Sequence, residues 1–319
     1  MTKTELTKDY TDFVSLRQSA FLKKLSDTLY REPKLGTAKY TNIQRIYDRT
    51  SQYQLKEVMY KGSQLPEELL FRVFIFDHFK TIHFWEYLKS RDYFPETKTF
   101  NPEQFTQLIS EYSGEGKLYT TAYMVPPGNP GEPKAKAIAE RTVALTKSLN
   151  LDIDGELLNI RSGSQLFEQL TKIQGIGDFL ASQVVFDLLW HESFKDTQPL
   201  YALGVGAVRG AFKLGLIHRA GGKVSFDYAE YAPKTALEWV NLSEYPYAKA
   251  DGLNIPLNVA DIQNTFCETD KLFRKLHPEI SAGKSAPTKI KNTYKPGAPI
   301  DYQVPGWWVD KSGLIRVTA

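Results

Sequence analysis

The sequence predicts a mainly α protein. Apolar residues recur at helical spacing through most long segments, and strand-type alternation is scarce. A glycine turn, Gly175-Ile176-Gly177, also sits between two apolar helical patterns. With 319 residues the chain can bury the core of one large domain or two moderate ones.

Residues 11–30 place Phe13, Leu16, Phe21, Leu22, Leu25 and Leu29 at helical spacing. Residues 41–60 do the same with Ile43, Ile46, Tyr47, Thr50, Tyr53 and Val58, and Thr41 or Asn42 is the expected cap. Residues 66–77 open with Pro66, Glu67 and Glu68, a favourable helix start, and the helical pattern resumes in Thr81–Ser90. Residues 117–125 have strand propensity and end in the loop 126–134. Helices are further expected over 134–149, 164–173, 178–190, 204–216 and 257–276. The expected organisation is one helical domain over 1–282, which can divide into two lobes, and a basic, Pro/Gly-rich tail over 283–319 that wraps the surface or is loosely held.

Composition narrows the function classes. Hydrophobic residues are 42% and charged residues 24%, as in ordinary globular proteins. The single cysteine, Cys267, excludes an internal disulfide framework and a Cys-rich zinc site. His78, His83, His191, His218 and His277 form no HExxH pattern, so no metal site is expected. No apolar run approaches the ~20 residues that span a bilayer, and the N-terminus has no signal-type apolar region. The expected compartment is the cytoplasm. A net charge of +3 allows a local nucleic-acid-binding patch without demanding one.

The stretch Ile173–Val185, "IQGIGDFLASQVV", fits a helix-hairpin-helix pattern. Gly175 and Gly177 let backbone N–H groups approach an anionic oxygen. The helix starting at Asp178 points its amides at the same place. Such a turn grips a DNA phosphate without reading sequence, although two glycines also suit a plain helical hairpin. DNA glycosylases with this hairpin carry a catalytic Asp about twenty residues later. Here that position falls near Gly204, so simple base excision loses its nearest negative charge. The following "LGVGAVRG" offers a second anion nest or a close helix contact.

Several separated stretches, "KYTNIQRIYDRTSQYQL", "FRVFIFDHF", "TTAYMV", "QGIGDFLASQVVFDLLW", "LYALGVGAVRG" and "IQNTFCETDKLFRKLHP", resemble the alpha-glutamyl/putrescinyl thymine pyrophosphorylase family. That family includes phage amino acid:DNA transferases and the helical domain of 5-hydroxymethyldeoxyuridine DNA kinases. The resemblance spans roughly residues 35–280 and implies a helix-hairpin-helix, DNA glycosylase-like fold with few short strands. It also implies hypermodification of thymine: 5-hydroxymethyluracil in double-stranded DNA is activated by phosphorylation, and an amine or amino acid displaces the leaving group. The location becomes the host cytoplasm for a phage-encoded chain. No GxxxxGK[ST] loop is present, which favours the transferase branch; ATP and Mg²⁺ are expected only for a kinase-type activity.

Displacement at an exocyclic methylene requires a flipped base, cations for the leaving phosphate and a base for the amine. On the expected helix 41–60, Asn42, Arg45 and Arg49 share a face and Asp48 orients Arg45. The substrate-binding candidates are therefore Asn42, Arg45, Arg49 and Arg209; a salt-bridge network is the alternative reading. The catalytic candidates are Asp48, Asp187, Glu268 and Lys271. Lys271 suits a leaving phosphate and Glu268 a proton, unless they form an ordinary ion pair. Asp187, in an apolar helix, is either paired in the core or faces a cavity, where it would act as base or orient Arg209; Arg72 would pair with a carboxylate such as Asp48. The DNA-binding candidates are Gly175, Gly177 and Asp178. Trp307 and Trp308 either stack on bases or pack the tail, and Lys284, Lys289, Lys291 and Lys295 either touch the DNA backbone or are solvated.

Overall fold

The computed structural model describes residues 2–113, 118, 131–148, 162–195, 202–222, 224–280, 293 and 298–319. They are mainly helical, with a four-stranded antiparallel sheet. The chain divides into two compact units, Met1–Arg49 with Tyr201–Ala319, and Thr50–Leu200. No helix is long and apolar enough to cross a membrane.

The first unit opens with α1, Lys3–Ser26. Thr2 and Glu5 form a capping box, each side chain accepting the other's backbone N–H at 3.2 and 2.7 Å. The buried stripe of α1 runs through Tyr10, Phe13, Val14, Arg17, Ala20 and Phe21.

Residues 41–60 depart from the single helix that their periodicity predicts. A 3₁₀ turn at Arg45–Tyr47 is followed by Asp48 in extended conformation, a short helix α2 (Arg49–Tyr53) and a π-helical turn at Gln54–Met59. The cause is local. Asp48 Oδ1 accepts the Asn42 backbone N–H at 3.2 Å, and the Asn42 amide donates to the Tyr47 carbonyl at 2.8 Å. Such side chain–backbone bonds compete with helix. Asn42, Arg45 and Arg49 therefore do not share a helical face.

The second unit is built on α3 (Pro66–Phe79), buried from Glu68 to Phe79. Then come α4 (Ile82–Ser90), α5 (Pro102–Ser113), α6 (Lys134–Ser148), α7 (Gly163–Lys172) and α8 (Asp178–Leu188). Phe74, Phe76, Phe79, Phe84, Trp85 and Phe105 fill its core. The strand expected over 117–125 lies outside the described residues apart from Leu118.

The first unit resumes with α9 (Val205–Lys213), α10 (Phe226–Asn241) and α11 (Val259–Leu276). Tyr10, Val14, Ile43, Val208, Val240, Ile262, Phe266 and Phe273 belong to one core cluster. Helix α9 lies very close to α11. A Cβ added at Gly210 would sit 2.0 Å from the Phe266 carbonyl oxygen, and one at Gly206 2.9 Å from Cys267 Sγ. Gly206 and Gly210 of "LGVGAVRG" thus serve helix contact, the second of the two readings of this stretch, while Gly204 is the N-cap of α9.

The sheet order is β2-β1-β4-β3, with β1 Lys249–Ala250, β2 Leu253–Asn254, β3 Gln303–Pro305 and β4 Leu314–Thr318. Asp251 and Gly252, both at positive φ, close the β1–β2 hairpin. Lys249 pairs with Thr318, and Val304, Val309 and Val317 are buried. The end of the expected loose tail is thereby woven into the first unit, and Trp307 and Trp308 are half-buried in a 3₁₀ turn between β3 and β4.

Candidate functional site

Helix α11 supplies many of the buried polar groups of the first unit, because its sequence puts polar residues on two faces. Asp261, Asn264, Glu268 and Lys271 follow the i, i+3, i+4 spacing of one face. This face meets the 42–48 segment. Asp261 Oδ1 accepts the Arg45 backbone N–H at 3.3 Å, and the Asn264 amide donates to the Asn42 carbonyl at 3.4 Å. Glu268 is buried and holds Lys271 through both oxygens, at 2.8 and 2.9 Å.

Two carboxyls here are held far above their ordinary range. Burial raises Asp48 to about 6, and the negative charge of Glu268 adds to it, while the Asn42 N–H, Arg45 and Arg17 oppose. Burial raises Asp261 to about 7 against the N–H groups of Asn258 and Arg45. Such groups exchange protons near neutrality. Cys267 is pushed up to about 12 by burial, then by Glu268, and is no thiolate nucleophile.

The other face of α11 is closed. Asp270 receives Arg209 at 3.3 Å, Lys213 at 3.1 Å and Arg274. Burial pushes Asp270 up, but Arg274 and Lys213 outweigh it and hold its carboxyl below the usual range. Arg209 is thus engaged by Asp270 of its own unit.

Asp187 instead belongs to the second unit's interior. Lys80, buried and in the left-handed region at φ 50°, donates to Gln54 at 2.5 Å, to Asp77 at 2.6 Å and to Asp187. Sequence reasoning missed Lys80 and Asp77. Arg72 finds its partners within the second unit. Its guanidinium donates to the carbonyls of Val58 at 2.9 Å and Ser63 at 2.6 Å. Arg49 donates to the Ala298 carbonyl and so ties down the last segment of the chain.

The hairpin has the expected geometry. α7 ends at Lys172 and Gly175 turns the chain at φ 85°; Gly177 precedes α8, and Asp178 is its first residue. A Cβ at Gly175 would lie 2.5 Å from the Arg141 guanidinium, whose Nε donates to the Gln174 carbonyl at 3.3 Å. A Cβ at Gly177 would meet nothing within 4 Å. Gly175 therefore answers to packing and backbone, whereas the face of Gly177 is open. Arg141, which sequence reasoning passed over, braces the turn.

A family model described as the helical domain of 5-hmdU DNA kinase matches residues 4–282. The chain belongs to that family. This places it in modified-base DNA processing and bears out the resemblance read from the sequence. No curated protein and no solved structure matches the chain.

Proposed function

We propose that the protein hypermodifies 5-hydroxymethyluracil-derived bases in DNA by joining an amine or amino acid to the phospho-activated methylene carbon. The observation that carries this reading is Asp48. It is half-buried with a carboxyl near 6, and Glu268 and Arg45 lie within its electrostatic reach. A general base for an amine needs that poise. Asn42 serves Asp48 here: its backbone N–H and its amide, at 3.2 and 3.3 Å, both meet Oδ1.

In the proposed step the amine nitrogen attacks the methylene carbon and forms the C–N bond. The C–O bond to the phosphate breaks, and the phosphate leaves with its electron pair. The amine's proton passes to Asp48. Lys271 and Arg45 supply positive charge for the leaving group, with Lys271 held in place by Glu268. The base leaves the stack first. The hairpin holds duplex backbone on the open face of Gly177 and the N-terminal amides of α8.

The family description favours a second reading, phosphotransfer to the hydroxymethyl oxygen, which would draw on ATP and Mg²⁺. A non-catalytic reader of modified DNA is the remaining alternative. Nucleoside mass spectrometry separates the three. Phosphorylated 5-hydroxymethyluracil DNA incubated with an amine should yield the amine adduct. Phosphorylation of hydroxymethyluracil DNA with ATP would establish the kinase. Tight binding with unchanged bases would leave the reader, and release of free base would contradict all three.

A further inference from the structure

A cleft of the first unit is unused by the chemistry above. The second half of α1 supplies Arg17, Phe21 and Lys24, and the following chain supplies Arg31, Tyr40 and Asn42. Its solvent-filled interior is ≈ 40 Å³. That is room for about three waters at ~10–15 Å³ each, the scale of a small oxyanion and far below a nucleobase.

The cations of this cleft are Arg17, Lys24 and Arg31, and its one lining carboxylate among the described residues is Glu32. The unmatched charge lies with the two arginines. Glu32 is already engaged, accepting the Tyr30 hydroxyl at 2.6 Å and the Lys34 N–H at 3.3 Å, with Lys23 at 3.8 Å.

Arg17 is only 4% exposed, yet among the described residues no carboxylate lies within ion-pair distance of it. Its Nε and Nη2 donate to the Thr41 carbonyl at 3.2 and 2.6 Å, its guanidinium lies 5.1 Å from the Phe13 ring centre, and Nη1 has no hydrogen-bond partner. Arg31 likewise spends Nε and Nη2 on the Gly36 carbonyl and has no carboxylate partner among the described residues. Buried charges in proteins are normally paired. Burial pulls Arg17 below its ordinary range, and the charges of Glu268 and Asp48 favour its charged form only from beyond ion-pair distance. Its direct contacts are carbonyls and a ring, and the cleft beside it has the size of a counter-ion.

We propose that this cleft is an oxyanion subsite of the proposed transfer site. It takes either the departing phosphoryl group or the carboxylate of an amino-acid co-substrate. The link to the site is direct: Arg17 Nη2 lies 3.3 Å from the Asn42 carbonyl, and Asn42 anchors Asp48. The inference rests on the transfer reading for its role but not for its existence. Three cations also make the cleft a poor host for a diamine.

The test is titration of the full-length chain with inorganic phosphate, glycine and putrescine, followed by calorimetry and, for phosphate, by phosphorus NMR. Phosphate or glycine should saturate one site. Lys24→Ala/Arg31→Ala, in a half-buried and an exposed residue, should weaken binding by at least roughly tenfold, with thermal melts confirming the fold. Lys8→Ala, whose lysine pairs with Asp12 at the surface, should not change it. Phosphate saturation assigns the subsite to the phosphoryl group, and glycine saturation to the co-substrate carboxylate. Binding of putrescine alone, no saturation by any ligand, or unchanged affinity in the double variant would overturn the subsite. Anion binding without an amine adduct in the nucleoside assay would sink the transfer reading and leave the subsite standing.

Discussion

The two polar faces of α11 solve the burial of charge in opposite ways. Toward α9, Asp270 is surrounded by Arg209, Lys213 and Arg274, and its carboxyl is held low. Toward the 42–48 segment, Asp48 and Asp261 are held high, and among the described residues Arg17 has no carboxylate within ion-pair distance, with Glu268 and Asp48 acting on it only from farther away. The same helix thus carries one saturated face and one unfinished face. Ion pairs that serve the fold are closed on themselves. Groups left uncompensated at a cost in stability are the ones expected to meet something else.

The largest predicted effect tests the closed face. Asp270→Ala leaves three cations without their shared counter-charge and should destabilise the protein by about 3–5 kcal/mol in urea denaturation. A loss under about 1 kcal/mol would show that the face is not closed by this carboxylate. Gly210→Ala forces a methyl against the Phe266 carbonyl and should cost about 1–3 kcal/mol by the same measurement. An unaffected midpoint would mean that α9 and α11 have slack between them.

The unfinished face should behave in the opposite sense. The folded pKa of Asp48 is raised, so its stabilising contribution is complete below the ordinary aspartate value of 3.8 and is lost as pH rises through about 6. Asp48→Asn should therefore raise stability at pH 7 by about 1–2 kcal/mol while abolishing turnover. Lower stability at pH 7 would make Asp48 a structural carboxylate.

Lys271→Ala leaves the buried Glu268 carboxylate without its cation and should cost about 1–3 kcal/mol, yet lower turnover well beyond any loss of DNA binding. Full activity would remove Lys271 from the site. The smallest stability effect belongs to the second unit. Gly177→Thr occupies open space at an ordinary φ of −91° and keeps a good cap, so stability should stay within about 0.5 kcal/mol. Its effect should appear in duplex binding by fluorescence anisotropy; unchanged affinity in the folded variant would reduce the hairpin to a turn.

What was legible in the sequence follows from how local the signal is. The hairpin was legible because its glycines, its cap and its apolar positions all lie within a dozen residues. The helices over 66–77 and 257–276 were legible for the same reason. The 41–60 segment misled because its apolar periodicity continues while Asn42 and Asp48 bond across the turn and break the helix. Helices α5 and α10 went unread, the first despite Asn101 capping it at 2.9 Å and the second with Pro233 inside it.

Arg17 left one usable trace: it falls on the apolar stripe between Val14 and Phe21, where an arginine is buried by the fold. Lys80 left none. Asp77 is only three residues away, but Gln54 and Asp187 come from distant parts of the chain and meet Lys80 only through tertiary packing. Core pairing of Asp187 was one of its two sequence readings, but Lys80 as its partner and Asp270 as the partner of Arg209 were not, since spacing along one helix says nothing about which charge faces it from another.

The central claim is that Asp48 takes the proton of an amine attacking an activated base. The measurement that tests it most directly is the pH dependence of single-turnover adduct formation on phosphorylated 5-hydroxymethyluracil DNA. With the wild-type protein the rate should climb with pH and level off above about 6, and the Asp48→Asn variant should form no adduct. A wild-type rate indifferent to pH across that range, or an Asp48→Asn variant as fast as wild type, would contradict it.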